Sequence, residues 1–297
     1  MTKYDAETLE KMKALEERIK APSIWGRVPC GIRFEDLQDK RYEEAVRFLK
    51  KHYLPEELTY RSVKIVDDKE ATDEFIYNAR IWMKDKMSLA AIKEGTDKVV
   101  GVLIMRLQER NAFSRTFSRV KITHNPIYTS VMNFYNTIEK PVSVYDSLGV
   151  RRYFKIYVVA LKNRYRHRGI AKELIKAAML LSASAGVAAL AGIFTSTRLQ
   201  TIAQELGFVK LNEIYYIRYL KDGEIVFFDT GVGNYGASIM GLRMSNVDEV
   251  QDLVVVPSSR FNLPHSEDDN GEAEESDFDG APTDNAVPTG TASSKTG

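Results

Sequence analysis

The chain has 297 residues, of which 44% are hydrophobic and 10% aromatic, as in a globular protein with a substantial core. Its net charge of +1 hides an uneven distribution, because residues 261–297 carry nine acidic residues and one lysine. The preceding 260 residues therefore have a net charge of +9, which favours an anionic ligand without identifying it. A single cysteine excludes an internal disulfide, and with four histidines it forms no metal-ligand motif. We expect no metal and a cytoplasmic protein.

The first half of the chain predicts a mixture of amphipathic helices and alternating strands. In chain order these are a helix over 5–20, a proline-containing connector, a strand over 32–37, helices over 41–52 and 72–86, strands over 88–94 and 98–107, a loop over 109–124 and a helix over 125–138. The polar turn at 94–97 predicts that the two neighbouring strands form a hairpin.

The centre of the chain is an apolar strand, a basic loop and a long helix. Residues 156–161 are apolar and rich in β-branched side chains, which predicts a buried strand. After Ala171 the apolar residues recur at helical spacing. The loop over 166–171 contains two arginines and Gly169, so the start of the helix is suited to bind phosphate. The loop is neither a P-loop nor a dinucleotide fingerprint.

The rest of the chain continues this alternation and ends in an acidic tail. We expect strands over 188–194, 209–220, 225–228 and 237–244, a helix over 197–206 that ends at Gly207, and a disordered tail from about 251. Gly231, Gly233 and Gly236 match a dinucleotide pattern, but a strand follows them where a helix would be needed. The uncharged run from Ala177 to Thr197 contains a predicted helix end and a strand, so we expect no membrane span.

Two motifs in this order resemble the GCN5-related N-acetyltransferase (GNAT) superfamily. The loop Arg166-x-x-Gly169-x-Ala171 resembles its acyl-CoA pyrophosphate loop, and Glu205-Leu206-Gly207-Phe208 resembles the end of its last helix. The long loop before the helix at 125–138 is similar to the insect arylalkylamine N-acetyltransferase branch. The resemblance implies an α/β (α+β) fold with a mixed, mostly antiparallel sheet, a parallel βαβ core and helices on both faces. It also implies that the sheet splays open at the CoA-binding strand.

The same resemblance implies acetyl-CoA as co-substrate and a small primary amine, such as dopamine, tyramine or serotonin, as acceptor. The implied cofactor-binding residues are Val158, Val159, Ala160, Leu161, Arg166, His167, Arg168, Gly169, Ile170, Ala171 and Lys172. The implied general base lies in Pro55-Glu56-Glu57-Leu58, where one alignment selects Glu56 and another selects Glu57. The family's two helix hydroxyls correspond to Thr195, with Ser196 beside it, and to Leu199, which lacks one.

These interpretations divide the chain into three parts and leave alternatives. Residues 1–26 are predicted as an N-terminal helix and connector, 27–250 as the N-acyltransferase domain and 251–297 as the tail. We expect a monomer that acts as an N-acetyltransferase and binds neither nucleic acid nor membrane. The departures from the family pattern favour an alternative function. In that alternative the chain is a non-catalytic or divergent CoA-binding protein with a different acceptor.

Overall fold

The computed structural model describes residues 22–110 and 124–244, which form a central sheet covered by helices. Eight strands lie in the sheet in the order β1-β2-β3-β4-β5-β6-β10-β7, and a separate hairpin consists of β8 and β9. Their bounds are β1 Ile24–Val28, β2 Ile32–Asp36, β3 Leu89–Lys93, β4 Lys98–Glu109, β5 Arg152–Leu161, β6 Ala189–Phe194, β7 Val209–Tyr215, β8 Leu220–Lys221, β9 Glu224–Ile225 and β10 Gly236–Arg243.

Seven α-helices connect these strands within the described ranges. They are α1 Tyr42–Phe48, α2 Leu58–Ser62, α3 Lys69–Met83, α4 Pro126–Glu139, α5 Val144–Leu148, α6 Ile170–Ser184 and α7 Thr197–Glu205. A π-helical segment, Leu49–Tyr53, continues α1.

Both faces of the sheet are buried, because each strand sends alternate apolar side chains to opposite sides. One face packs beneath α1, α3 and α4, and its core includes Val102 and Ile104 of β4 together with Phe75 and Phe134. On the other face α6 contacts β1, β3, β4, β5 and β6, and α7 contacts β6 and β10. The helices therefore lie on both faces, as the resemblance implied.

The sheet is mixed, with one parallel pair among antiparallel neighbours. β5 and β6 run parallel and are joined by α6, while β4 pairs with β5, and β10 with β6, in the antiparallel sense. The parallel pairing covers three residue pairs and ends at Ile156 and Gly192. Both strands continue beyond that point, so the sheet opens in its interior.

Most predicted elements have the observed type, with several corrections. The connector predicted around Pro22 and Pro29 is wrong, because β1 pairs there with β2. The strand predicted over 209–220 stops at Tyr215 and a 3-10 turn follows, while that at 225–228 is reduced to β9. Helices α2 and α5 were not predicted. The helix at 5–20, the tail and most of the loop at 109–124 lie outside the described residues, and the domain boundaries stay predictions.

Candidate active site

The opening between β5 and β6 is part of a cavity of about 950 Å³, which residues of both strands line. Its central part is lined by Val158–Leu161 of β5 on one side and by residues 193–196 at the end of β6 on the other. The volume lies within the range of small-molecule pockets. The interrupted sheet therefore creates the cavity.

A bulge in β5 sets the direction of the strand at this opening. Ile156 pairs with Met105 and Val158 with Ile104, so Tyr157 is an extra residue. Beyond the bulge, the Lys162 N–H donates to the Val100 carbonyl of β4. Because backbone groups alternate sides along a strand, the N–H groups of Val159 and Leu161 point away from β4. The opening is thus lined by backbone donors.

The start of α6 supplies a second set of backbone donors. Gly169 is the N-cap residue in a left-handed conformation, with φ of 81°, and it has no side chain to accept from the first turn. His167 before it also has positive φ, at 62°. The free N–H groups of a helix start and its partial positive charge stabilise an anion. This geometry fits the phosphate-binding role predicted for the loop.

The predicted cofactor-binding residues divide into two groups. Those that line the cavity are Val158, Val159, Ala160, Leu161, Arg166, His167, Gly169 and Ala171. Arg168, Ile170 and Lys172 do not line it: Ile170 is buried, the Arg168 guanidinium bonds to the Arg164 carbonyl, and Lys172 pairs with Glu205 at 2.7 Å.

The two candidate glutamates have different environments. Glu56 is exposed and pairs with Arg166 at 3.1 Å. Glu57 is the N-cap of α2, where its Oε2 accepts from the Thr59 and Tyr60 amides and from the Thr59 hydroxyl at 2.6 Å. The other oxygen, Oε1, is buried at the cavity without a hydrogen-bond partner among the described residues. Glu57 is therefore held by the helix that it caps, whereas Glu56 is held by the arginine of the loop.

The hydroxyl candidates lie on the opposite wall. Thr195 and Ser196 both line the cavity, and Ser196 also caps α7 by accepting from the Leu199 amide at 3.3 Å. Leu199 faces the same cavity with an apolar side chain. The Thr197 hydroxyl donates to the carbonyl of Gly233, so the glycine-rich stretch fixes the start of α7. A strand, β10, follows that stretch, as the sequence predicted.

Three tyrosines surround Glu57. The Tyr135 hydroxyl lies 2.8 Å from that of Thr59, and Tyr53 and Tyr60 also line the cavity. Burial, and to a smaller extent the negative charge of Glu57, raises the pKa of Tyr53 and of Tyr135 well above the usual value. These hydroxyls therefore stay protonated near neutral pH.

The far end of the cavity contains charged and aromatic groups that were not predicted. We call it the distal wall, and it consists of Trp82, Gln108, Asn136, Glu139, Lys155 and Tyr157. Lys155 forms an ion pair with Glu139, and the rings of Trp82 and Tyr157 stack with centroids 4.3 Å apart. A lysine within an apolar strand was the one sequence signal for this pair.

No helix in 22–110 or 124–244 is long and apolar enough to cross a membrane. Within the same residues, no group of three histidine, cysteine or carboxylate side chains is arranged to hold a metal ion.

Comparison with known proteins gave matches in structure. No protein-family model and no curated protein sequence matches the chain. A putative arylalkylamine N-acetyltransferase 7 from the yellow fever mosquito matches with a TM-score of 0.66 and 25% identity, over 75% of this chain and 95% of its own. Arylalkylamine N-acetyltransferase 2 from Aedes aegypti matches with a TM-score of 0.66 and 20% identity, over 72% and 99%. A Drosophila melanogaster polyamine N-acetyltransferase, which forms N-acetylagmatine, matches with a TM-score of 0.59 and 16% identity. That match covers 72% of this chain and 100% of the solved chain.

These matches span nearly the whole of each solved chain, and this chain has the mixed, mostly antiparallel sheet with the parallel β5–β6 pair described above. The protein therefore has the GNAT fold, in the form found in the insect arylalkylamine N-acetyltransferases.

Proposed function

We propose that the protein transfers an acetyl group from acetyl-CoA to a small primary amine of the arylalkylamine type, with Glu57 as general base. The observation that carries the proposal is the position of Glu57 in the lining of the cavity, with a buried Oε1 that has no hydrogen-bond partner among the described residues. The fold is that of acyl-CoA-dependent enzymes, and the aromatic lining suits an aryl acceptor. A cytoplasmic location and a monomeric state stay predictions from the sequence.

Each part of the site has a role in this reaction. The start of α6 binds the diphosphate of the co-substrate, and the outward N–H groups of Val159 and Leu161 bind its acyl arm. Oε1 of Glu57 takes a proton from the cationic amine, whose nitrogen then forms a bond to the acyl carbon. The same amides stabilise negative charge on the acyl oxygen until the carbon–sulfur bond breaks. The thiolate leaves and takes up a proton.

Glu56 is the less suitable base because its carboxylate already pairs with Arg166. Thr195 and Ser196 line the cavity and can contact the co-substrate there. Leu199 also lines it, but it has no hydroxyl to donate a proton to the leaving thiolate. Leu199 favours the second candidate function, a CoA-binding protein without this turnover.

Release of free thiol from acetyl-CoA across a panel of arylalkylamines, polyamines and peptide N-termini tests the proposal. We expect turnover with at least one small amine and a loss of about 100-fold or more in kcat/KM for Glu57→Gln. Glu56→Gln is the matched control, because it removes the neighbouring carboxylate from the same turn. Tight binding of CoA without thiol release for any amine would favour the second candidate. A Glu56→Gln loss larger than that of Glu57→Gln would assign the base to Glu56.

A further inference from the structure

Glu139 of the distal wall lies one turn of α4 beyond Tyr135, which lies near the proposed base. Met132, Tyr135, Asn136 and Glu139 line the cavity at positions i, i+3, i+4 and i+7 of α4, so they form one stripe along the helix. Tyr135 contacts Thr59, which in turn bonds to Glu57. Glu139 lies four residues further along, about 6 Å in axial rise. An amine that lies along this stripe with its nitrogen at Glu57 brings its other end toward Glu139 and Lys155.

The charges in this wall are fixed and partly shielded from water. The side chains of Lys155 and Glu139 are 21% and 29% exposed. Burial alone would lower the pKa of Lys155, but Glu139 together with Tyr157 and Tyr153 outweighs burial and raises the pKa, so Lys155 is charged near neutral pH. The Lys155 Nζ also lies 5.2 Å from the centroid of the Tyr157 ring, which is held by Trp82.

We propose that Lys155 is a specificity-determining residue that neutralises Glu139, so that the distal wall admits monoamines with an uncharged, hydrogen-bonding far end and rejects acceptors with a second cation. The inference rests on the proposed amine acetylation. It names the class of acceptor, which the fold leaves open, since similar structures include both arylalkylamine and polyamine N-acetyltransferases.

The physical argument concerns the second charge of a diamine. A second ammonium that reaches the distal wall leaves water and finds the charge of Glu139 already neutralised by Lys155, so its desolvation is only partly compensated. It also lies against the like charge of Lys155. Arg106 and Asp85, which lie close enough to influence Tyr157, pair with each other at 2.6 Å and add no net charge. A phenolic or indolic far end instead meets Gln108, Asn136 and the polar atoms of the pair.

The competing explanation is that the ion pair only joins α4 to β5. Under that explanation its removal lowers stability and activity but changes the rates for all acceptors in the same proportion. The ratio of rates for two acceptors therefore separates the two explanations, whereas the rate for a single acceptor does not.

The test compares kcat/KM for tyramine, agmatine and 5-aminopentanoate by thiol release from acetyl-CoA. We expect wild-type protein to favour tyramine over agmatine at least tenfold, which corresponds to about 1.4 kcal/mol. Lys155→Met leaves Glu139 unpaired and shifts that ratio at least tenfold toward agmatine. Glu139→Gln leaves Lys155 unpaired and shifts preference toward 5-aminopentanoate. The double variant carries no charge in the wall and returns the tyramine-to-agmatine ratio to within threefold of wild type.

Two controls keep the result interpretable. Lys155→Arg retains the charge and should retain the preference, and melting curves identify any variant that does not fold. A shift of less than threefold in the folded Lys155→Met variant overturns the inference while leaving the proposed function intact. If wild-type protein acetylates none of the amines, the proposed function fails separately. In that case calorimetry measures the affinities of tyramine and agmatine for the CoA-saturated wild type and for CoA-saturated Lys155→Met. The inference predicts that the tyramine-to-agmatine affinity ratio shifts at least tenfold toward agmatine in the variant, and a shift of less than threefold overturns it.

Discussion

The Arg166 guanidinium lies 3.1 Å from the Glu56 carboxylate, so the first residue of the loop proposed to bind phosphate is tied to the residue beside the proposed base. The same guanidinium donates to the Leu161 carbonyl at 3.0 Å and to the His52 carbonyl at 3.2 Å. All three of its nitrogens are thereby engaged by protein groups. Arg166 holds the end of β5, the π-helical segment and Glu56 together, and so stabilises the start of the loop.

Glu56→Gln should therefore weaken the co-substrate site without removing the base. The pair is partly exposed, and such pairs contribute about 0.2–1 kcal/mol. We expect KM for acetyl-CoA to rise roughly two- to fivefold, while kcat falls by less than that factor. Steady-state kinetics with each substrate varied in turn measures the effect. A large fall in kcat with an unaltered KM for acetyl-CoA would contradict it.

Gly169→Asp should abolish most of the anion binding at the start of α6. The substitution places a carboxylate beside the free amides and strains a backbone with φ of 81°. We expect the affinity for CoA to fall at least tenfold in calorimetry. Gly95→Asp is the matched control, because Gly95 has φ of 87° in the β3–β4 turn and open space around an added Cβ. Both variants lose about 1–2 kcal/mol of stability, but Gly95→Asp should keep its CoA affinity.

Gly192→Ala should destabilise the sheet at the point where it opens. A Cβ at this position would lie 2.9 Å from the Ile156 carbonyl oxygen and 3.2 Å from the Ile156 Cβ. Both are atoms of the last parallel pair, so one of the strands must move. We expect a loss of about 1–3 kcal/mol, or roughly 2–12 °C in the melting temperature. An unchanged melting curve would mean that β5 and β6 separate there without strain.

Asp97→Asn should lower stability near neutral pH and have a smaller effect in acid. Hydrogen bonds from Arg33 and then from Arg41 lower the pKa of Asp97, so its charged form stabilises the native state. That contribution is present above the unfolded pKa of about 3.9 and is lost as pH falls through the folded value. Asparagine tolerates the positive φ of 56° at this position. Denaturant midpoints at pH 7, 5, 4 and 3 should show the difference between variant and wild type shrinking; a constant difference would refute the linkage.

The sequence predicted those elements whose pattern is local. The strand at 156–161, the helix after Gly169 and the β3–β4 hairpin follow from periodicity and turn residues, and the structure has all three. Strand β1 was missed because its five residues lie beside two prolines and reach the core at Val28 alone. Helix α2 has only five residues, too few for a periodic signal, and it begins at a glutamate, which is not a favoured N-cap residue.

Many residues of the site could be predicted from the sequence, but the orientation of their side chains and backbone amides could not. Glu56 and Glu57 are adjacent in sequence and both line the cavity, and only the folded structure shows that Glu57 caps α2 while Glu56 pairs with Arg166. Lys155 and Glu139 lie on different elements, so no local spacing connects them. The register shift at Tyr157, which turns the strand and leaves its amides facing the opening, depends on pairing with β4 and leaves no compositional mark.

The end of parallel pairing at Ile156 and Gly192 also predicts how fast individual backbone amides exchange hydrogen with solvent. Although they lie at the centre of the molecule, the outward amides of Val159 and Leu161 should exchange deuterium much faster than the neighbouring amide of Lys162, which bonds to Val100. Coenzyme A should slow that exchange selectively. Deuterium uptake in the middle of the sheet, measured by mass spectrometry, would then show whether coenzyme A is bound before any acceptor is known.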